Sequence, residues 1–208
     1  MRYVKSDQLK LSKLRVLSKF LEGHKGFIAG GVFKDIFNNK PFKDIDIFFR
    51  TEEDLADAIA YFTDKVDSKD NKVYWKYYEN KQAIAFKTAS TSVTIELIKT
   101  TVGTPREVMT QFDFSITRFA YGHNKNSSED ATSYIAIYDS RFFEHLVTKK
   151  LVLEAPDQIK FPVSTFDRSY RYAKYGYGLC KESKQNLIEA LQGADINDLS
   201  NSLYFGID

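Results

Sequence analysis

The stretch DIDIFF, residues 44–49, alternates acidic and apolar side chains and then becomes wholly apolar. This pattern predicts a β-strand with one buried face, because successive side chains of a strand point to opposite sides of the sheet. Asp44 and Asp46 are two residues apart, so the same period places both carboxylates on one face. The chain is therefore expected to contain a sheet that carries two neighbouring acids on one side.

Two carboxylates this close repel each other, and they are expected where a divalent cation lies between them. Mg²⁺ prefers oxygen ligands and keeps water and substrate phosphates in its remaining positions. Upstream, Gly30 and Gly31 allow backbone N–H groups to approach an anion, and the helix expected after them directs its positive end the same way. Glu96, in the apolar strand VTIELI, is the candidate for a third carboxylate. Together these residues indicate metal-bound triphosphate chemistry with two metal ions.

Each of these signals also has an ordinary structural interpretation. A pair of acids two residues apart is commonly a solvated strand face, adjacent glycines are commonly a turn, and a lone glutamate on a strand commonly faces water. The combination of all three at short range is more specific than any one of them. His24, His123 and His145 are widely separated and the chain has one cysteine, which argues against a zinc site or a Cys–His nucleophile.

The composition excludes several classes of protein. Apolar residues make up 43% of the 208 residues, which is enough for a core and excludes an intrinsically disordered chain. The formal charge of +2 excludes a highly basic nucleic-acid wrapper. No apolar run approaches the roughly 18 residues of a membrane-spanning helix, and the sequence shows no signal peptide. These features, with the single Cys180, predict a cytoplasmic protein with no membrane partner.

Periodicity and turn residues divide the chain into helices and strands. We predict helices over 8–22, 32–37, from 51 to about 62 or 65, over 107–111 with Pro105 near its start, and over 141–150, 164–180 and 182–192. We predict strands over 26–31, 44–49, 72–78, 82–88, 92–98 and 134–138, and an exposed loop over 122–133. The character of the sequence changes near residue 140. Residues 1–140 are therefore interpreted as a catalytic domain, and residues 141–208 as a helical extension packed on it.

The stretch GGVFKDIFNNKPFKDIDIFF, residues 30–49, resembles the head of the nucleotidyltransferase superfamily. The closest branch is that of bacterial poly(A) polymerases and CCA-adding enzymes, which read GG-x-VRD-x-LLG followed by KDID. The positions of this chain that match the pattern are Gly30, Gly31, Lys34, Asp35, Lys43, Asp44 and Asp46. Two more stretches follow in the same order. QFDFSITRFAY, residues 111–121, is similar to R-R-D-F-T-I-N-A-h-h-Y, and TFDRSYRYAKYGYGL, residues 165–179, is similar to the neck motif L-R-A-x-R-F-A-x-x-x-G-F.

The resemblance covers residues 10–180 and implies an α/β (α+β) nucleotidyltransferase fold, a mixed β-sheet flanked by helices with a C-terminal helical extension. It implies transfer of a nucleoside monophosphate from ATP or another NTP, with two Mg²⁺ ions (Mn²⁺ is an alternative) and release of pyrophosphate. Metal-binding and catalytic roles are implied for Asp44 and Asp46, with Glu96 as the candidate third acid. Nucleotide-binding roles are implied for Gly30, Gly31, Lys34, Asp113, Arg168 and Arg171. Tyr172, in the neck-like helix, is a further candidate for the pocket wall.

The chain departs from the family pattern at several positions. Lys34 replaces an arginine, which removes the bidentate fork but keeps the charge. Phe112 replaces the arginine before Asp113, and Thr117 and Arg118 replace an Asn-Ala pair, so base and sugar selection are expected to differ. The body and tail that hold tRNA in that family have no counterpart, so we expect a compact transferase. Its acceptor would be an RNA, including a tRNA 3′ end, a protein or a small molecule.

Two alternatives stay open. The changes at Phe112, Thr117 and Arg118 fit an NTP-binding regulatory module that has the same fold and no turnover. A toxin-like or phage-borne transferase that modifies tRNA would share the chemistry and differ in its acceptor. Basic residues in 1–25 and 141–184, and the aromatic residues of the strand over 72–78, are candidates for RNA contacts, although solvated helix faces and strand packing are the ordinary explanations. The sequence carries no DNA-specific signal.

Overall fold

The computed structural model describes residues 1–67, 74–88, 91–124 and 133–194, and its framework is a large mixed sheet. The strands are β1 (Tyr3–Asp7), β2 (Phe27–Ala29), β3 (Asp44–Phe49), β4 (Tyr74–Glu79), β5 (Ala83–Thr88), β6 (Thr91–Val102), β7 (Phe119–His123), β8 (Tyr134–Asp139), β9 (Lys150–Leu151) and β10 (Gly178–Leu179). Within the described residues, eight strands form one sheet in the order β1-β8-β7-β2-β3-β6-β5-β4. The short strands β9 and β10 form a separate parallel pair.

Helices connect the strands and cover the sheet. They are α1 (Arg15–Ser18), α2 (Val32–Phe37), α3 (Glu52–Asp67), α4 (Pro105–Met109), α5 (Phe142–Thr148), α6 (Pro162–Ala173) and α7 (Lys181–Gln192). Short 3₁₀ segments cover Gln8–Leu14, Lys19–Leu21 and Pro156–Gln158. None of the helices that the structure describes has the length and apolar character needed to cross a membrane. The α/β fold class, a mixed sheet flanked by helices, is confirmed.

The pair β3–β6 runs parallel, whereas the other neighbours in the large sheet run antiparallel. The two faces of this sheet have different roles. Ile45 and Ile47 of β3 are completely buried in the core cluster that also contains Phe62 of α3. On the opposite face, Phe48 packs in a second cluster with Met109 of α4. Because strand side chains alternate, the face that carries Phe48 is also the face of Asp44 and Asp46.

The start of the chain differs from the helix predicted over 8–22. Residues 3–7 form β1, which the sequence pattern does not indicate, and two 3₁₀ segments surround the four-residue α1. Leu11 has a non-helical backbone (φ −125°, ψ 56°). The buried residues Leu14, Leu17, Phe20 and Leu21 all lie in the main core cluster. Their spacing of three and four residues also fits an α-helix, so it does not reveal the 3₁₀ segments.

Further along the chain, the predicted boundaries of α2 and β3 are confirmed, and β6 extends beyond the predicted 92–98 to Val102. The helix predicted over 164–180 ends at Ala173 because a turn with Gly176 at φ +84° leads into β10. Residues 72–73 of the predicted strand and 125–132 of the predicted loop lie outside the described residues, as do residues 195–208 of the predicted extension. The division of the chain at residue 140 stays a prediction.

Candidate active site

Three carboxylates occupy neighbouring positions on one face of the sheet. Asp44 and Asp46 alternate along β3 with the buried Ile45 and Ile47. On the adjacent parallel strand β6, Glu96 lies directly opposite Asp46. Paired residues of neighbouring strands point to the same side of a sheet, so the three acids share one face. Asp44 is exposed, and Asp46 and Glu96 are half-buried.

A tyrosine continues this row toward the edge of the sheet. Tyr78 of β4 lies opposite Ala85 of β5, and Ala85 lies opposite Glu96. Burial, a hydrogen bond from the Tyr78 hydroxyl to Glu96 and the negative charges of Glu96, Asp46 and Asp44 raise the pKa of Tyr78. The sequence alone does not indicate this role for Tyr78, because only the sheet register brings it next to the acids.

The glycine turn lies beside the acids. Strand β2 runs antiparallel to β3, with Phe27 opposite Phe48, so its carboxyl end lies next to the amino end of β3. Gly30 has φ +103° and its N–H donates to the carbonyl of Phe119 at 3.1 Å. Gly31 is the N-cap of α2 and lines the same cavity as Asp44 and Asp46.

This cavity has a volume of about 960 Å³. Its carboxylates are Asp35, Asp44, Asp46 and Glu96, and its cations are Lys34, Lys40, Lys43, Lys160 and Arg171. Three of the acids lie on the sheet face, whereas the cations come from α2, the segment that follows it, residue 160 and α6. The sheet side of the cavity is thus acidic and is called its floor. The side that carries the cations, formed by α2, the segment after it, residue 160 and α6, is called its rim. Such a charge distribution suits a cation on the floor and a polyphosphate beside the rim.

Lys34 is held in the cavity wall. Its ammonium Nζ lies 2.5 Å from Oδ1 of Asp35, 5.2 Å from the ring centroid of Tyr175 and 5.8 Å from that of Tyr172. Tyr172 in turn packs against Phe114, with the ring centroids 5.6 Å apart. Lys34 and Tyr172 therefore line the cavity from two different elements, α2 and α6.

Asp113 and Arg168 lie away from the cavity wall and pair with each other. The Arg168 guanidinium donates through Nε to Oδ2 of Asp113 at 2.7 Å and through Nη1 to Oγ of Ser164 at 3.0 Å. Burial raises the pKa of Asp113, and the charge of Arg168 opposes that effect. Arg171 does line the cavity, and its Nε lies 3.2 Å from Oδ2 of Asp167 on the same helix.

Arg118, one of the departures from the family pattern, organises a buried network. Its guanidinium donates to the carbonyl oxygens of Phe112 and Asp113, each at 2.9 Å, and to Oε1 of Glu154 at 2.5 Å. The same Glu154 oxygen accepts from Arg141 at 2.6 Å. The side chain of Arg118 is therefore used within the protein interior, and the sequence gives no signal for this network beyond an unexpected arginine.

The carboxylates of the cavity match a Mg²⁺ site in which the substrate and water complete the ligands. In the arrangement of side chains across the described part of the chain, no three His, Cys, Asp or Glu residues converge into a metal-binding cluster. Mg²⁺ is commonly bound by one or two carboxylates together with substrate phosphates and water. If Mg²⁺ binds here, Asp44 and Asp46 would supply such oxygen ligands at the floor of the cavity, and a bound triphosphate would supply the rest.

The fold is shared with CCA-adding enzymes and a tRNA nucleotidyltransferase. The chain is similar to a CCA-adding enzyme solved with CTP (14% identity, TM-score 0.64, 97% of this chain and 51% of that chain). It is also similar to the Thermotoga maritima CCA-adding enzyme complexed with tRNA (14% identity, TM-score 0.61, 100% of this chain and 52% of that chain). A third match is a tRNA nucleotidyltransferase complexed with a primer tRNA and an incoming ATP analog (17% identity, TM-score 0.56, 92% of this chain and 54% of that chain). The chain spans about half the length of these enzymes, and the likeness establishes the nucleotidyltransferase fold.

A family model also matches the sequence. The model of the Gabija anti-defense 2 family protein (Gad2) covers residues 7–149, which is more than half of the chain. No curated protein matches this chain. The matched part contains the glycine turn and all three carboxylates of the sheet face.

Proposed function

The chain belongs to the Gabija anti-defense 2 family, and from this premise we propose that it is a nucleotidyltransferase that acts against the Gabija defence. It transfers a nucleoside monophosphate from an NTP to an acceptor. The observation that carries the proposal is the placement of Asp44, Asp46 and Glu96 on one sheet face, beside Gly31, in a fold shared with CCA-adding enzymes. The family name fits a phage-related role.

The proposed reaction is an in-line displacement at the α-phosphorus. The acceptor hydroxyl oxygen forms a bond to that phosphorus, the bond from the phosphorus to the oxygen that bridges to the β-phosphate breaks, and pyrophosphate leaves. The hydroxyl proton passes to solvent. Mg²⁺, with Mn²⁺ as an alternative, would neutralise the triphosphate and favour ionisation of the acceptor hydroxyl.

The residues of the cavity have distinct roles in this proposal. Asp44 and Asp46 hold the cation, and Glu96, oriented by the hydrogen bond from Tyr78, completes the acidic floor. Lys34 and Arg171 on the rim face the triphosphate. The backbone at Gly31 has no side chain between it and the cavity, so it allows a phosphate to approach closely.

An RNA is the acceptor that the fold favours. The similar solved structures contain CTP, an ATP analog, tRNA or a primer tRNA. The rim cations would attract RNA phosphates. A tRNA 3′ end is one form of this acceptor, and a protein or a small molecule is an outcome that the assay below would detect.

The test is transfer of label from each α-³²P-labelled NTP with Mg²⁺, in the presence of total cellular RNA or of extract from cells that carry Gabija. We expect label in RNA with the wild-type chain and a loss of at least about 100-fold with Asp44→Asn combined with Asp46→Asn. Asp57→Asn is the matched control, because Asp57 is an exposed acid of α3, outside the cavity. Equal transfer by the double variant and the control would contradict the proposal.

A second candidate is an NTP-binding regulatory module that does not turn over. It is favoured by the segment 112–118, where Arg118 bonds to backbone oxygens and Thr117 donates its hydroxyl to the carbonyl of Phe114 at 2.8 Å. Both side chains therefore form hydrogen bonds with the backbone of the protein itself. In this case NTP would raise the melting temperature without release of pyrophosphate, and the chain would still counter Gabija in cells.

A further inference from the structure

We propose that Trp75, Tyr77 and Lys87 form a platform for a single-stranded nucleic acid whose end reaches the three carboxylates. These three residues together are termed the aromatic platform. The inference deepens the proposed function, on which it rests, because it assigns the acceptor a binding surface and a strand state. None of the three residues lines the cavity.

The sheet register places the aromatic platform on the same face as the acids. Trp75 of β4 lies opposite Lys87 of β5, Lys87 lies opposite Thr94 of β6, and Thr94 lies opposite Asp44 of β3. Neighbouring strands are about 4.8 Å apart, so Trp75 and Asp44 are separated by about 14 Å across the sheet. About four nucleotides, stacked at roughly 3.4 Å each, would span that distance.

Core packing does not account for these aromatic side chains, although the ring of Tyr77 also contacts that of Tyr78 edge-on, with the centroids 5.6 Å apart. Tyr74 of the same strand packs on the opposite face, with its ring centroid 5.0 Å from that of Phe62. Trp75 and Tyr77, in contrast, are 42% and 55% exposed. The pairing of β4 with β5 is irregular between Lys76 and Tyr78, so Tyr77 is the extra residue of a bulge. A bulge at a sheet edge redirects a side chain, which in this case brings Tyr77 over Lys87.

The chemistry of the aromatic platform matches single-stranded nucleic acid. The ammonium Nζ of Lys87 lies 3.6 Å from the ring centroid of Tyr77. In the part of the chain that the structure describes, Lys87 forms no ion pair, whereas the nearby Lys76 and Lys99 both pair with Glu79. Exposed rings stack with bases of any sequence, and a lysine that forms no ion pair contacts the phosphates between them. A duplex, whose bases are already stacked on each other, does not offer its base faces to such a surface.

The single tryptophan of the chain makes the proposal directly measurable. Trp75 is the only tryptophan, so all tryptophan fluorescence originates at the aromatic platform. The full chain, without NTP or Mg²⁺, is titrated with a 12-nucleotide single-stranded RNA, the DNA of the same sequence, the duplex RNA and polyglutamate. We expect saturable quenching by single strands and little by the duplex or polyglutamate. Quenching by the RNA alone would show that the platform selects RNA, and quenching by both strands would show that it binds either nucleic acid. Both results support the proposal. No quenching by either strand, or equal quenching by polyglutamate, overturns it.

Variants separate stacking from general attraction. Tyr77→Ala and Lys87→Ala should each raise the Kd for the single strand at least about fivefold, and Lys87→Ala should reduce the slope of log Kd against log salt by about 0.7. With a labelled RNA and anisotropy, Trp75→Ala should weaken binding and Trp75→Phe should largely retain it. Tyr170→Ala is the matched control, because Tyr170 on α6 is 66% exposed and lies under Lys174 at 5.4 Å. An equal loss in the control, or no loss in Tyr77→Ala, overturns the proposal.

The double variant Asp44→Asn with Asp46→Asn distinguishes failure of this proposal from failure of the proposed function. It should bind the single strand at least as tightly as the wild-type chain, because two negative charges are removed from the same sheet face. Label transfer by the wild-type chain without quenching would overturn the aromatic platform and leave the nucleotidyltransferase proposal standing. Quenching without label transfer would support the aromatic platform and contradict the nucleotidyltransferase proposal.

Discussion

The adjacent glycines Gly30 and Gly31 have different conformational requirements. Gly30 has φ +103°, a region that other residues adopt only with strain, so Gly30→Ala should lower the free energy of unfolding by about 1–3 kcal/mol. Gly31 has φ −70°, and a Cβ there would lie 3.7 Å from the Tyr172 hydroxyl, an ordinary contact. Gly31→Ala should therefore change stability by less than about 1 kcal/mol but weaken NTP binding. Urea unfolding and NTP titration of both variants check this, and equal destabilisation would contradict it.

His24 is a buried histidine that is neutral in the folded protein. Its Nδ1 accepts from the N–H of Gly26 at 3.1 Å, so the proton of the neutral ring is on Nε2 and donates to the carbonyl of Phe20 at 2.9 Å. Burial lowers the pKa of His24 to about 4, and His123 contributes in the same direction. In the unfolded chain the pKa returns to about 6.5, so the stability from neutral His24 is complete above pH 6.5 and is lost as pH falls toward 4. The loss is up to about 3 kcal/mol.

His24→Gln isolates this effect, because glutamine keeps a donor and an acceptor and does not titrate. Burial also lowers the pKa of His145, and carboxylates titrate in the same range, so the measured quantity is the difference between variant and wild type. The free energy of unfolding of the variant, relative to the wild-type chain, should rise by about 3 kcal/mol between pH 7.5 and pH 4. Curves that stay parallel over this range would contradict the assignment.

The attachment of α6 to the rest of the protein depends on the buried ion pair of Arg168 and Asp113, whose side chains are only 3% and 5% exposed. Removing one partner of such a pair leaves an uncompensated buried charge. Arg168→Met should therefore lower the free energy of unfolding by about 3–5 kcal/mol, and adding Asp113→Leu should recover much of that loss. Urea unfolding of both single variants and the double variant gives the coupling energy. A double variant that loses the sum of the two single losses would show that the pair is not coupled.

The sequence predicts the elements whose residues carry a local signal. Alternation in DIDIFF and the breakers after Phe37 are enough to predict β3 and α2 with their observed bounds, and the hydroxyl of Thr51 does cap α3 by accepting from the N–H of Asp54 at 3.1 Å. The long helix predicted over 8–22 is wrong because the spacing of its buried residues fits an α-helix and does not reveal the non-helical backbone at Leu11 or the 3₁₀ segments. Strand β1 is missed because its stability comes from pairing with β8, far along the chain.

The candidate site could be predicted in part for the same reason. Asp44 and Asp46 are fixed on one face by local spacing, and Glu96 could be proposed only as an acid on an apolar strand. Its register opposite Asp46, and the hydrogen bond from Tyr78, arise from the pairing of strands that are far apart in sequence. The buried ion pair of Asp113 with Arg168 could not be predicted from the sequence either. A motif match identifies which residues correspond to the family pattern, but it does not show which of them are in contact.

The arrangement of the sheet explains why this fold assembles such a site. Strands β3 and β6 run parallel, and the segment between them contains α3 and the hairpin β4–β5. Folding back of this segment places β5 and β4 on the far side of β6, so the carboxylates lie at the centre of the sheet and the aromatic platform at its edge. One continuous face thus runs from the cavity to Trp75. Among the described residues of that face, Asp44, Asp46 and Glu96 are acids at the centre, and Lys87 is a cation toward the edge.

Ligand binding should stabilise the protein as a unit if the carboxylates hold a cation with the triphosphate. At a nucleotide concentration of about 100 times Kd the gain is about 2.7 kcal/mol, which corresponds to a rise of about 5–10 °C in Tm for a chain of this size. Asp44→Asn combined with Asp46→Asn removes two like charges from one face, so its Tm without ligand should exceed that of the wild-type chain. It should also lose the part of the shift that requires Mg²⁺. Thermal melts with NTP, in Mg²⁺ and in EDTA, measure both effects, with Asp57→Asn as the control. If the double variant kept the full Mg²⁺-dependent shift, the cation would have to be bound elsewhere.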